Sequence, residues 1–270
     1  MGGMLAAPFA LAQGRNLPVG LQLFTLRNDL EKDIPGTLKA VSKVGYRYVE
    51  FYVPFYFAWT PAFAREVRKS LDDLGLKCTS THNTMDAFQP EGIGKAIELN
   101  QIIGSKYVVS ARRPQVAGID DWKSIAETLN KGNEVLRASG LSAAYHNTVL
   151  EWKPVDGQRP IDVLFQNTDK SFGHQLDVGT CLATGTDAVA WIDQHPGRIR
   201  SLHLKDWSPE KEYGVLFSRG SAPWRDILAA AEGKGGAEFL VIEQEQSVEP
   251  PIEAVEKDLE LYLKLRKGGA

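Results

Sequence analysis

Short apolar runs alternate with amphipathic stretches along most of the chain. PVGLQLF at 18–24 reads as a strand; IPGTLKAVSKVG at 34–45 follows, with Ile34, Leu38, Val41 and Val44 at helical spacing and Gly45 suited to the helix end. The rhythm continues with YRYVEF (46–51) and a helix through 61–75, then KCTSTH (77–82) and a helix around 91–103. KYVVSA (106–111) precedes a helix over 121–140, and LSAAYHN (141–147) precedes a short one near 160–167. GHQLDVG (173–179), IRSLHLKD (199–206) and AEFLVIEQE (237–245) are each followed by a helical pattern, at 187–196, 223–235 and 252–268.

Eight strand–helix units in about 250 residues predict an α/β fold, a single closed (β/α)8 TIM barrel. A doubly wound open sheet would carry a glycine-rich phosphate turn after an early strand, and GLQLFTLRN has none. No low-complexity linker divides the chain, so residues 17–270 are expected to form one domain. Residues 1–16 are different. GGMLAAPFALAQGRN is apolar and small-residue-rich, with Ala-Leu-Ala ahead of Gln13. It resembles the rear half of a secretory signal with cleavage after Ala12, which predicts a periplasmic or secreted protein. A flexible tail on a cytoplasmic protein, or a short apolar helix on the barrel, is the alternative.

Composition narrows the partners. Over 270 residues the net charge is −3, with 43% hydrophobic and 24% charged positions, and no run of like charge forms a nucleic-acid face. No stretch approaches the roughly 20 apolar residues of a membrane span. Cys78 and Cys181 sit in neither a metal-binding nor a redox spacing. A small molecule is the expected partner, and a homo-oligomer is compatible with all of this.

Function in such barrels gathers where strands end. The predicted ends carry Glu50, His82, Asn83, His146, Asn147, Glu151, Asp177, His203, Lys205, Asp206, Glu243 and Glu245. Burying a carboxylate at the end of a run such as FLVIE costs several kcal/mol unless it is paired, protonated or bound to a cation. Carboxylates and a histidine from four consecutive strands must converge on one mouth, and their repulsion calls for a divalent metal. The expected ligands are Glu151, Asp177, His203 and Glu243. That oxygen-rich set suits Mn2+, Mg2+ or Co2+, with Zn2+ as the alternative.

These segments carry a resemblance. VGLQLFTLRNDLEKDIPGTLKAVSKVGYRYVEF, YHNTVLEW, QLDVGT, LHLKDW and VIEQE occur in order over about residues 18–267. They resemble the xylose isomerase-like barrel family of sugar (phosphate) isomerases and epimerases. The resemblance implies that Asp177, His203 and Glu243 are metal ligands and that His82 touches substrate hydroxyls. The strand-five ligand is open: Glu151 is the carboxylate available, and His146 is the alternative. Thr148 stands where the family segment often has a second histidine, and Ser218-Arg219-Gly220 stands where many relatives have Gly-Glu-Gly.

The remaining candidates divide between binding and structure. Glu50 either binds a sugar hydroxyl or forms a salt bridge. Lys205 shares the strand face of His203. Arg219 either binds an anionic group or is a solvated loop arginine. Tyr56, Phe57 and Trp59 either stack on a sugar ring or pack beneath the loop. The expected activity is metal-dependent isomerisation or epimerisation of a sugar through an enediolate, with Glu151, Glu243 or His146 as base. Elimination from a keto-sugar or 3-keto-glycoside is the first alternative. Phosphodiester cleavage of the apurinic-endonuclease kind and a non-catalytic sugar-binding barrel come behind it.

Overall fold

The computed structural model describes residues 17–112, 115–246 and 249–268; the signal-like segment 1–16 lies outside them. Eight parallel strands close into a barrel in sequence order: β1 (Val19–Gln22), β2 (Tyr48–Phe51), β3 (Lys77–Thr84), β4 (Tyr107–Arg112), β5 (Ser142–His146), β6 (Gly173–Asp177), β7 (Ile199–Leu204) and β8 (Phe239–Ile242). The expected strand–helix order is present throughout. Helices such as Ile34–Val44, Pro61–Asp73 and Asp121–Ala138 lie between strands, Pro251–Arg266 follows the last one, and no helix among the described residues is long and apolar enough to cross a membrane.

Period-two alternation divides the sheet into two environments. Outward residues such as Leu21, Val49, Val108, Leu176, Leu202 and Leu240 pack against the helices in the main hydrophobic cluster. Inward residues form a small separate cluster of Tyr107, Val109, Ala144, Phe239 and Val241. Above that floor the interior turns polar: Gln22, Glu50, Ser80, Gln175 and His203 are each at most 1% exposed. Two register shifts, at Val49/Glu50 between β2 and β3 and at His174/Gln175 between β6 and β7, set Glu50 beside Ser80 and Gln175 beside Ser201. Bulges of this kind re-aim side chains near functional sites.

One buried acid lies away from this interior. Asp258, on the last helix, accepts a hydrogen bond from the Phe217 amide at 2.7 Å and is 1% exposed. Burial, joined by the charges of Glu249 and Asp206, raises its pKa from 3.8 to about 7. Between those values the folded chain holds a proton that the unfolded chain has released, so this group's contribution to stability falls as pH rises through that window and levels off above it. Asp258→Asn, whose amide oxygen still accepts from Phe217, is expected to stabilise the protein at pH 8 by up to about 4 kcal/mol, at ~1.4 kcal/mol per pKa unit. At pH 4 it should change little; thermal melts at the two pH values check this.

Candidate active site

The inward ends of β5 to β8 deliver four side chains to one mouth. His146 ends β5, Asp177 ends β6, His203 lies on β7, and Glu243 follows β8. The donor atoms of Asp177, His203 and Glu243 lie within 4.8 Å of one another, as do those of His82, His146 and His203. The two groups share His203, and His146 Nε2 is 3.7 Å from Asp177 Oδ2.

Local structure fixes each one. Asp177 Oδ1 accepts from the Thr180 amide at 2.9 Å and caps the turn Val178–Leu182, while Oδ2 faces Lys205 at 2.7 Å. The Gly in QLDVGT is needed for closure, because a Cβ on Gly179 would come 2.9 Å from the Lys205 carbonyl oxygen. In LHLKDW the alternation sends His203 and Lys205 inward. Asp206 is instead structural: it accepts from the amides of Trp207, Gly220 and Ala222 and from the Trp224 indole.

Beneath the mouth, Glu50 has no exposed surface. Its Oε1 accepts from Gln22 at 2.6 Å, His203 Nε2 at 2.8 Å and His82 Nε2 at 3.0 Å. Its Oε2 accepts from Gln175 at 2.7 Å and from Ser80. Burial alone would raise its pKa, but the His82 and His203 charges and hydrogen bonds hold it well below the carboxylate range. Left by the sequence between a sugar hydroxyl and a salt bridge, Glu50 is a fully engaged acceptor paired with His82 and His203, which it orients. His203 bridges it to Glu243 Oε2, 3.1 Å from Nδ1. Burial opposes a charge on His203, yet Glu50 and Glu243 outweigh it and push its pKa up to about 10.

Lys205 completes the electrostatics. Its ammonium lies 2.7 Å from Asp177, 3.0 Å from Glu243 and 2.6 Å from Glu245. Burial disfavours its charge, but these carboxylates raise its pKa well above the usual value. Burial likewise works against ionising Glu243, and Lys205 and His203 overcome it, holding its pKa low. Glu245 differs: the neighbouring Glu243 charge, then burial, raises its pKa. His146 is driven well below the ordinary value by burial and by repulsion from His203 and His82. Its neutral ring leaves Nδ1 buried and without a hydrogen-bond partner.

A cavity of about 190 Å³ opens over these groups, lined by Phe24, Tyr52, His82, Arg112, His146, Thr148, Glu243 and Glu245 among others. Arg112 was missed in the sequence, and Glu245, named there among the strand-end residues, was given no role. Glu245 lies two residues beyond Glu243 on the same face, a signal that was there to read. Arg112 closes a strand that otherwise ends without charge.

One expectation is corrected, and residues left between two readings are placed. Glu151 does not join the cluster. Thr148 caps the turn Val149–Trp152, and Glu151 Oε2 accepts from the Thr148 amide at 2.7 Å and hydroxyl at 2.6 Å, while Oε1 accepts from Tyr145 at 3.0 Å. The reason is a Thr-x-x-Glu capping box, which turns the carboxylate back onto its own helix start. Arg219 lines a separate surface pocket with Glu210, Lys211 and Glu249. Tyr56 and Trp59 are buried and pack edge-on with one another, and Tyr56 also packs edge-on against Phe57. The aromatic wall of the mouth is Phe24 and Tyr52, 5.2 Å apart edge to face.

The donor set fits a divalent cation: two carboxylates and His203 with ligand atoms within 4.8 Å of one another, and a neutral imidazole bearing an orphaned nitrogen beside them. If His146 holds the cation in place of Glu151, His146→Gln is expected to lower metal affinity at least tenfold, in the range of lost metal contacts. Glu151→Ala should leave it unchanged and cost about 1 kcal/mol of stability, as for a lost cap. Metal titration and thermal melts of both variants distinguish the two.

Comparison with known proteins agrees with this architecture. An inosose dehydratase of Clostridium perfringens is 25% identical over 184 residues, 62% of this chain and 57% of that protein. The aligned region thus spans little more than half of that curated relative. A crystal structure of a sugar phosphate isomerase/epimerase from Parabacteroides distasonis superimposes with a TM-score of 0.77 at 23% identity, over 98% of both chains. The IolI protein, solved with a zinc atom, superimposes with a TM-score of 0.67 at 16% identity, over 93% of this chain and 99% of that one. The model of the xylose isomerase-like TIM barrel family matches residues 38–265, and the chain belongs to that family.

Proposed function

We propose that this chain is a divalent-metal-dependent enzyme that removes a proton from the carbon next to a sugar carbonyl and returns it to complete an isomerisation or epimerisation. The observation that carries the reading is the convergence of His146, Asp177, His203 and Glu243 at one barrel mouth beneath a sugar-sized cavity. Asp177, His203 and Glu243 would hold the cation, with His146 as the fourth ligand. Two imidazoles among four ligands favour Mn2+, Co2+ or Zn2+ over Mg2+; the zinc atom in IolI is consistent with this. When bound, the cation supplies Lewis-acid stabilisation of the charge that develops on the carbonyl oxygen.

The chain's own residues do the rest. Glu50 accepts from His203 Nε2 and so turns Nδ1 toward Asp177 and Glu243, the arrangement that orients a metal-bound histidine. Glu245 is the better-matched base, because its raised pKa lies nearer working pH than that of Glu243. Lys205 holds Glu245 and Glu243 at hydrogen-bond distance. Phe24 and Tyr52 offer an apolar wall to a sugar ring.

Elimination is the second reading. Glu245, whose pKa the Glu243 charge and burial raise, is placed to give a proton to a departing hydroxyl, and the relative named inosose dehydratase is consistent with this reading. Incubation of metal-loaded protein with keto-sugars in deuterium oxide tests both. Deuterium on the α-carbon of an isomeric product supports the first reading, and a product lighter by one water supports the second. Glu245→Gln should cut kcat by about 100-fold or more with metal content unchanged. No exchange with any keto-sugar tried would contradict both readings.

A further inference from the structure

We propose that Arg112 recognises an anionic substituent, a carboxylate or a phosphate, at the end of the substrate remote from the reacting carbon. The inference rests on the sugar-enzyme reading above and names the class of substrate it would take.

Three observations carry it. Among the described residues that line the mouth cavity, Arg112 is the one Lys or Arg. The nearby Lys205 is committed, its ammonium lying 2.6 to 3.0 Å from Asp177, Glu243 and Glu245. Second, Arg112 has no protein partner among the described residues, whereas several other arginines are engaged. Arg68 pairs with Asp72 and Arg159 with Asp162, and Arg198 bonds the carbonyls of Phe165 and Phe172. A guanidinium at a cavity lip with no partner among the described residues is arranged for a ligand, and its planar fork matches carboxylate or phosphate oxygens. Third, β4 and β8 are diametrically opposed in the closed barrel. A molecule with its reacting carbon over Asp177, His203 and Glu243 extends its far end across the mouth toward Arg112. The Phe24–Tyr52 wall lies along the same cavity and suits the uncharged body of the sugar.

Calorimetric titration at low ionic strength tests this without turnover, so it stands apart from the exchange experiment above. The probes are D-gluconate, inorganic phosphate and, as the uncharged control, sorbitol, each titrated into the wild type, Arg112→Gln and Arg112→Lys. Arg112 is exposed, so both variants should melt with the wild type. The expected result is anion binding that exceeds sorbitol binding, weakens at least tenfold in Arg112→Gln, and is partly kept in Arg112→Lys, which retains the charge but not the fork. Loss confined to gluconate identifies a carboxylate, loss confined to phosphate identifies a phosphate, and either supports the proposal. Sorbitol binding as tight as gluconate, no binding of either anion, or anion binding unchanged in Arg112→Gln overturns it. The last result would assign the anion to the histidines and Lys205 instead. Deuterium exchange that persists while anion binding is absent would overturn the Arg112 assignment and leave the enzyme reading in place.

Discussion

Glu243→Gln is expected to abolish activity, by at least 1000-fold, and to reduce bound metal to trace levels while the barrel stays folded. The carboxylate lies 3.0 Å from the Lys205 ammonium and 3.1 Å from His203 Nδ1, and its ligand oxygen is within 4.8 Å of a carboxylate oxygen of Asp177 and a ring nitrogen of His203. A neutral amide of the same shape keeps the volume and still accepts hydrogen bonds from Lys205 and His203. The change therefore removes charge from the cation site and leaves the packing of β8 intact. Loss of folding is not expected, because Asp177 and Glu245 continue to neutralise Lys205. Circular dichroism, metal analysis and the deuterium-exchange assay on one preparation separate these effects. Wild-type turnover would remove Glu243 from the site.

Glu50→Ala is expected to have the largest effect on stability, a loss of about 3 to 5 kcal/mol, the usual cost of deleting one partner from a buried charged network. Gln22, Ser80, His82, Gln175 and His203 all donate to this carboxylate. None has surface through which water could replace it, apart from the 9% of His82. The buried His203 also depends on Glu50 for part of its charge. Glu50→Gln keeps an acceptor but sets an amide against donors, so an intermediate loss is expected. The pH dependence has a definite sign. A carboxyl held well below its ordinary value contributes stability that is present above the unfolded-state value near 4.5 and lost as pH falls through the lower folded one. The alanine variant lacks that acid-side loss. Urea unfolding from pH 2 to 7 measures both the offset and the slope.

The fold was legible because its signals repeat. Eight short apolar runs separated by amphipathic stretches leave one closed arrangement, and strand ends fell within three residues of those read from the pattern. The convergence of Asp177, His203 and Glu243 on one mouth was legible for the same reason, since parity along a strand fixes which face a side chain takes. Glu151 was misread where strand periodicity no longer applies. β5 stops at His146, and from Thr148 onward the chain obeys helix-start rules, whose Thr-x-x-Glu signature was in view. The role of Glu50 depends on donors from β1, β3, β6 and β7, which only the closed barrel brings together. FYVPFYFAW showed an excess of aromatics but not its direction: Tyr56 donates to Asn83 and packs beneath the loop, while Tyr52 lines the cavity.

The central claim is that the mouth between β5 and β8 holds one divalent cation through Asp177, His203 and Glu243, with His146 beside them. Elemental analysis of purified protein, supplemented in turn with Mn2+, Co2+, Zn2+ and Mg2+ and desalted, tests it most directly when run beside Glu243→Gln and Glu151→Ala. The account predicts about one ion per chain in the wild type and in Glu151→Ala, and close to none in Glu243→Gln. Equal metal content in the wild type and Glu243→Gln, or no metal in the wild type after supplementation, would contradict it.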